Sequence, residues 1–265
     1  MHRPQYLFDP EVLEPLLAQL RTHTTPLFLD YDGTLAPIVS DPMQAQMAPS
    51  MRPVLEHLAA RHTVAIVSGR DLQTLQRFVD LDNVYYAGSH GFEITGPGGV
   101  HKYNEEAERS LTALETAAQE LEEELAGIHG AALERKRFAL AVHYRNTPQA
   151  EIAQVTRAVE AVTARHPELR YGPGKRVYEL QPDVDWDKGR AVLWLLDALS
   201  LNRRDVLPVY IGDDWTDEHA FRALEGRGVG IFVGERNHAT EAQYRVAGIE
   251  EVRQLFERLL EESES

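Results

Sequence analysis

The chain has 265 residues, 43% hydrophobic and 26% charged, the profile of a soluble globular protein with one substantial core carrying a smaller inserted domain. It contains no cysteine, which excludes disulfides, thiolate nucleophiles and cysteine-ligated zinc, so any metal must be held by oxygen or imidazole. A formal charge of −15 argues against nucleic acid and against an anionic membrane as partners, because both attract basic surfaces. No run approaches the roughly 20 apolar residues of a membrane helix. The N-terminus is too interrupted by charge for a signal peptide, so the cytoplasm is the expected location.

Residues 11 to 21 have the apolar spacing of a helix, and the short run Pro26 to Asp30 that follows has the look of a buried strand. Thr63 to Val67 repeats that design before Ser68-Gly69-Arg70, with helical spacing on either side at Val54, Leu55, Leu58 and at Leu72, Leu75, Phe78. Val84 to Gly88 is a third strand, and Phe92 to Ile94 with Val100 to Tyr103 read as a hairpin around Gly96-Pro97-Gly98-Gly99. The pattern then changes. A long Glu-rich helix is expected over 105 to 126, a strand over Arg137 to Tyr144, a helix over 148 to 165 and a strand over Val177 to Leu180. From Asp187 the earlier pattern resumes with a helix to Leu199, a strand Leu207 to Ile211, a helix from Thr216 and the apolar run Val229 to Val233, while the tail Glu261 to Ser265 is expected to fray. Alternating strands and helices predict an α/β, doubly wound parallel sheet. Its core is discontinuous, residues 1–103 and 183–265, with an α+β insert over 104–182.

In open α/β sheets ligands bind beyond the carboxyl ends of the strands, and the unusual residues fall there. The first strand delivers Asp30, Asp32, Gly33 and Thr34, the second Ser68, and the strand ending at Ile211 delivers Asp213, Asp214 and then Asp217. One acidic strand end has an ordinary explanation, since Asp-Gly makes turns and Asp caps helices. Several in one crevice place like charges side by side, which costs free energy unless a cation sits between them; oxygen ligands alone point to Mg²⁺. The eleven histidines show no paired spacing such as HExxH, so zinc is set aside.

Asp30-Tyr31-Asp32-Gly33-Thr34, Ser68, Lys188 and Gly212-Asp213-Asp214 with Asp217 resemble, in order, the four signatures of haloacid dehalogenase-superfamily phosphotransferases. The resemblance implies that Asp30 attacks phosphorus and forms an aspartyl-phosphate, and that Asp32 serves as general acid and then general base. It implies Mg²⁺ on the Asp30 carboxylate, the Asp32 backbone carbonyl and Asp213, with Asp214 or Asp217 holding its waters. Ser68 would bond a phosphoryl oxygen and Lys188 would orient Asp30 while offsetting phosphoryl charge. An acid at position 32, where transport ATPases of the superfamily carry Thr, favours turnover of sugar-phosphate substrates.

The insert holds most of the clustered positive charge, in Glu134-Arg135-Lys136-Arg137, His143-Tyr144-Arg145 and Gly174-Lys175-Arg176. For any one of these residues a wet strand face is an equal explanation. Together with residues 30 to 38, Gly88 to Glu93, Gly174 to Glu179 and Asp213 to Glu218, these strings resemble trehalose-6-phosphate phosphatases over nearly the whole chain. That resemblance implies hydrolysis of trehalose 6-phosphate, a small-molecule sugar phosphate. Lys136, His143, Arg145, Lys175 and Glu179 become candidates to hold glucose hydroxyls, with Gly33, Arg70, His90 and Glu93 as substrate contacts on the core. A phosphatase for another sugar phosphate, a phosphosugar-binding regulatory module without turnover, and a phosphomutase are the competing readings. Nothing in the sequence sets an oligomeric state, and a monomer suffices.

Overall fold

The computed structural model describes residues 3–39, 41–174, 176–235 and 239–261. Its elements run in chain order β1 (Gln5–Tyr6), α1 (Pro10–Arg21), β2 (Leu27–Leu29), α2 (Met51–Arg61), β3 (Val64–Val67), α3 (Leu72–Val79), β4 (Tyr85–Gly88), β5 (Glu93–Gly96) and β6 (Val100–Tyr103). There follow α4 (Glu105–Arg109), α5 (Leu111–Leu125), β7 (Ala132–Lys136), β8 (Ala139–His143), α6 (Ile152–Arg165), β9 (Leu169–Pro173) and β10 (Val177–Pro182). The chain ends with α7 (Lys188–Ala198), β11 (Val209–Gly212), α8 (Glu218–Ala223), β12 (Val229–Val233), β13 (Tyr244–Val246) and α9 (Ile249–Glu261).

Two compact units result, Met1–Lys102 with Trp186–Ser265, and Tyr103–Asp185. The sequence places these changes one residue and three residues away, at 103/104 and 182/183. The first unit carries a nine-stranded sheet in the order β1-β13-β12-β11-β2-β3-β4-β5-β6, parallel from β1 to β4. From β2 the chain winds outward through β3 and β4, then returns at β11 on the other side of β2. The topological switch point therefore lies between β2 and β11.

Alternation along each buried strand sorts the core into two layers. Leu27 and Leu29 of β2 join Val64, Ile66, Val209 and Ile211 beneath α1, α2, α3 and α9, whose Leu17, Leu55, Leu75 and Phe256 are fully buried. Phe28, Ala65, Val67 and Tyr210 point the other way, against Ala191, Leu195 and Leu196 of α7 and Phe221 of α8. Short all-apolar strands are what a sheet covered on both faces demands.

The second unit is a four-stranded sheet, β7-β8-β10-β9, antiparallel throughout. Leu140, Val142 and Leu180 on one face pack against Leu114, Leu121, Val155 and Val159 of α5 and α6. Three features differ from the sequence expectation. The Glu-rich helix is two helices that meet at Ser110, which caps α4 and starts α5. The expected strand from Arg137 begins at Ala139, because Arg137 and Phe138 make the tight turn from β7. Strands β7 and β9 are rich in charged or small residues and lack apolar periodicity; their neighbours, not their propensity, hold them extended. Most of the tail expected to fray, 262–265, lies outside the described residues. Among the described residues no helix is long and apolar enough to cross a membrane.

Leu195 is fully buried at the heart of the α7 layer. Leu195→Ala should cost about 2–5 kcal/mol through lost burial and a cavity, seen as a lower urea midpoint at unchanged slope. A loss under about 0.5 kcal/mol is what a surface position would give, and would show that this layer is not packed as described.

Candidate active site

The sheet order β11-β2-β3 puts three strand ends side by side, and each delivers one part of a polar cluster. Asp30 follows β2 and its N–H donates to the Ile211 carbonyl of β11 at 2.9 Å, so the first carboxylate is tied to the neighbouring strand by the ladder itself. Ser68 follows β3 in the same way, its N–H on the Ala87 carbonyl of β4 at 2.9 Å, and it is 1% exposed. Asp213 follows β11. Carboxylate oxygens of Asp30, Asp213 and Asp217 lie within 4.8 Å of one another.

Lys188, the first residue of α7, reaches into this cluster. Asp187 caps the helix by accepting from the Arg190 N–H at 2.9 Å, which fixes the entry direction of the chain. The Lys188 ammonium donates to Asp30 Oδ1 at 2.6 Å and to Asp217 Oδ1 at 2.7 Å, all three side chains being at most 7% exposed. Asp217 Oδ1 also accepts from the Tyr210 hydroxyl at 2.6 Å, and its Oδ2 accepts from the backbone N–H groups of Asp213 at 3.0 Å and Asp214 at 2.9 Å. Four donors on one carboxylate leave Asp217 as the anchor of Lys188 and of the Asp213-Asp214 turn. Although it sits in the acidic triad, Asp30 and Asp213 are the carboxylates with capacity to hold an ion. Asp214 is exposed and closes a capping box over Trp215–Asp217, its side chain accepting from the Trp215 N–H at 2.7 Å.

The electrostatics ask for a cation. Burial pushes the Asp30 carboxyl well above the usual carboxylate range; Lys188 pulls against this, while Asp217 and Asp213 add to it. Burial, then Asp217 and Asp214, push Asp213 up to about 7. Burial disfavours the Lys188 charge, yet Asp217 and Asp30 outweigh it and its pKa rises, so the ammonium stays charged. One ammonium among these buried carboxylates is too little positive charge to keep all of them ionised. An oxygen-only donor set with that deficit fits a hard divalent cation. Gly33 shows how closely the cluster is packed: its φ is +85°, and a Cβ there would lie 2.1 Å from Asp213 Oδ2.

Asp32, by contrast, is turned to Arg70. The guanidinium Nε and Nη2 donate to Asp32 Oδ2 and Oδ1, each at 2.6 Å. Arg70 itself is bound at both ends of its backbone, its N–H to Ser68 Oγ at 3.2 Å and its carbonyl accepting from Ser89 at 2.7 Å. Ser89 and His90 both take left-handed φ values, 50° and 57°, and a Cβ at Gly69 would meet the His90 ring at 2.7 Å. His90 thus packs on the Ser68-Gly69-Arg70 loop, its N–H on the Ser68 carbonyl at 2.8 Å. Two left-handed residues in succession hold the backbone in a conformation that residues larger than glycine rarely adopt. Glu93, at the start of β5, is 9% exposed.

The second unit gathers its own polar face. Register places Glu134 opposite Ala141 and Ala141 opposite Glu179, with Lys136 opposite Ala139 and His143 opposite Val177, so all four polar side chains project from the face away from the helices. Lys136 Nζ donates to Glu179 Oε1 at 2.9 Å, and His143 Nε2 lies 2.8 Å from Glu134 Oε2, a bond that lowers the Glu134 pKa. Ala139, Ala141 and Gly172 are small, leaving room above the row. Arg145 lies exposed, two residues beyond the end of β8. Lys175 lies outside the described residues. Sequence reasoning missed Glu134 as a site residue, though its spacing of two from Lys136 puts both on one strand face, and missed Tyr210, whose hydroxyl no pattern in an apolar strand would flag.

Residues 28–250 match the model of the trehalose-phosphatase family. A trehalose-phosphate phosphatase of Mycobacterium tuberculosis is 43% identical over 237 residues, covering 88% of this chain and 60% of that protein. The chain thus spans about 60% of the length of the first curated relatives it matches. Among solved structures, the C-terminal domain of the Candida albicans trehalose-6-phosphate phosphatase shares the fold with a TM-score of 0.81 at 23% identity, over 98% of this chain and 99% of that one. A haloacid dehalogenase-like hydrolase from Bacteroides thetaiotaomicron does so with 0.64 at 15%, over 89% and 99%.

If Asp30 and Asp213 hold a divalent ion, MgCl₂ at about 100 times its dissociation constant should stabilise the chain by about 2.7 kcal/mol. That is a rise of roughly 5–10 °C in melting temperature, reversed by a chelator. Gly33→Ala should abolish most of the rise by displacing the Asp213 carboxylate. An undiminished rise in that variant would place the ion elsewhere.

Proposed function

Because this chain belongs to the trehalose-phosphatase family, we propose that it hydrolyses trehalose 6-phosphate to trehalose and phosphate, acting in the cytoplasm on a small phosphorylated sugar. The observation that carries this reading is the buried Lys188 ammonium held between Asp30 and Asp217, with Asp213 alongside. It presents one carboxylate, already oriented, at the switch point of the sheet.

A free Asp30 oxygen attacks phosphorus in line, the bond from phosphorus to the sugar oxygen breaks, and Asp32 gives that oxygen its proton. In the second half Asp32 takes a proton from water as the water oxygen attacks the aspartyl-phosphate, and the Asp30 carboxylate is released. Lys188 holds Asp30 in its attacking orientation and offsets phosphoryl charge, while Ser68 donates to a phosphoryl oxygen. Asp30, Asp213 and the Asp32 backbone carbonyl would hold Mg²⁺, which when bound supplies positive charge against the phosphoryl oxygens. Asp217 and Asp214 then act by holding the Asp213 turn in place.

The polar face of the second unit supports the sugar part of the reading. A polyol needs acceptors and donors in alternation, and Glu134, Lys136, His143 and Glu179 offer both above a floor of small residues. Their paired arrangement pre-orients each group by its partner, so little side-chain freedom is left to lose on binding.

Two experiments test this. Phosphate release measured across a panel of sugar phosphates, with and without Mg²⁺, should be fastest with trehalose 6-phosphate, and Asp30→Asn should abolish it while leaving the circular dichroism unchanged. Faster release from another sugar phosphate would move the substrate, binding without any release would make the chain a phosphosugar-binding module, and a phosphosugar product would make it a mutase. Glu179→Ala should weaken trehalose 6-phosphate by about 1–3 kcal/mol in kcat/KM and spare p-nitrophenyl phosphate, which offers no hydroxyls to the face. Equal loss on both would show that Glu179 supports the fold rather than the sugar.

A further inference from the structure

The sequence assigns Arg70 to the substrate, but the structure spends its guanidinium elsewhere. We infer that Arg70 is a positioning residue for the proton-transfer step: its planar fork fixes the Asp32 carboxylate in the one orientation from which the leaving sugar oxygen can take a proton. This rests on the phosphatase reading above and adds to it a residue that acts through Asp32 and not on the sugar.

Three observations carry it. The contact is side-on and bidentate, Nε to Oδ2 and Nη2 to Oδ1 at 2.6 Å each, so both the distance and the plane of the carboxylate are set. Each carboxylate oxygen has two lone pairs, and the fork occupies one on each. The remaining pair on either oxygen is left to carry or receive the proton. Second, the fork is itself held: the Arg70 side chain is 11% exposed against 35% for Asp32, and its guanidinium lies 4.9 Å from the Phe78 ring centre and 5.5 Å from that of Tyr31. A half-exposed Asp on a short turn would otherwise sample several rotamers. Third, the Arg70 backbone is bonded to Ser68 Oγ and to the Ser89 N–H, so the group that holds the acid is part of the same loop that carries the proposed phosphoryl-oxygen donor. Acid and phosphate donor are thereby kept in register by one residue.

The test uses leaving groups that differ in their need for a proton. An alkyl phosphate, either trehalose 6-phosphate or glycerol phosphate, must have its leaving oxygen protonated; p-nitrophenolate leaves without one. In single turnovers of the full chain with Mg²⁺, Arg70→Ala should slow alcohol release about 100-fold and nitrophenol release less than about tenfold, with the concentration for half-maximal rate little changed. Guanidinium chloride at tens of millimolar should restore part of the alkyl rate. Arg70→Lys keeps the charge and loses the fork, so it should remain impaired on the alkyl esters; it also carries the test if the alanine variant does not fold. Equal slowing of both ester classes, a weakened half-saturation at unchanged maximal rate, or full activity in the lysine variant would each overturn the assignment. Glycerol phosphate keeps this test separate from the sugar assignment, since a wild-type chain that cleaves it but not trehalose 6-phosphate loses the substrate reading and still reports on Arg70.

Discussion

A lysine ammonium buried between two carboxylates is the constraint around which the first unit is arranged. Taking Lys188, Asp30 and Asp217 out of water is costly unless each charge finds partners in good geometry, and an unpaired member would be strongly destabilising. The surrounding sequence supplies that geometry. Tyr210 turns a hydroxyl from a fully apolar strand to Asp217, and Gly212 has no side chain because a Cβ would lie 2.3 Å from the Asp217 carboxyl carbon. Gly189 is bare for a related reason: a Cβ there would meet the His219 carbonyl oxygen at 2.4 Å, so α7 can lie close enough to α8 for Lys188 to reach.

The same arrangement leaves a deficit of positive charge. Lys188 satisfies one oxygen of Asp30 and one of Asp217, but Asp213 stands at the adjoining strand end with its pKa raised by burial and by its acidic neighbours. A site that holds more carboxylate than its own cations can balance suits a metal ion. Asp30 and Asp213 are thereby tuned together, since whatever neutralises Asp213 also favours the ionised form of Asp30. Asp32 is held apart from these hydrogen bonds by a separate partner, Arg70, so two carboxylates two residues apart stand in different surroundings.

In the second unit, pairing within one sheet creates a division of labour between faces. The apolar side chains of β8 and β10 face α5 and α6, and the residues between them form the polar row. Arg135 shows how strictly this holds: it points to the helix side and is engaged by Glu115 and Glu122 of α5, whereas Glu134 and Lys136 beside it face the other way. A charged string in the sequence is therefore two populations, one engaged by α5 and one on the face away from the helices.

The sequence alone determined the doubly wound class, the acidic strand ends and the order of the signature residues, because buried strands and their polar ends are local patterns with fixed periods. Asp30, Ser68 and Asp213 stood out for that reason, whereas Lys188 stood out only through the resemblance of the signature set. What the tertiary structure decided was how those groups share their hydrogen bonds. That Asp217 is saturated by Lys188, Tyr210 and two backbone N–H groups, and that Arg70 pairs with Asp32, depends on contacts such as those of Lys188 with Asp217 and of Arg70 with Asp32, 29 and 38 positions apart, or on the direction of a single side chain. Short strands such as β1 and β13, and the charged strands β7 and β9, escaped for a similar cause: their extended state is imposed by the neighbours they pair with. Periodicity records which face of an element is buried, but the partner that a polar atom meets is set only when distant segments are brought together.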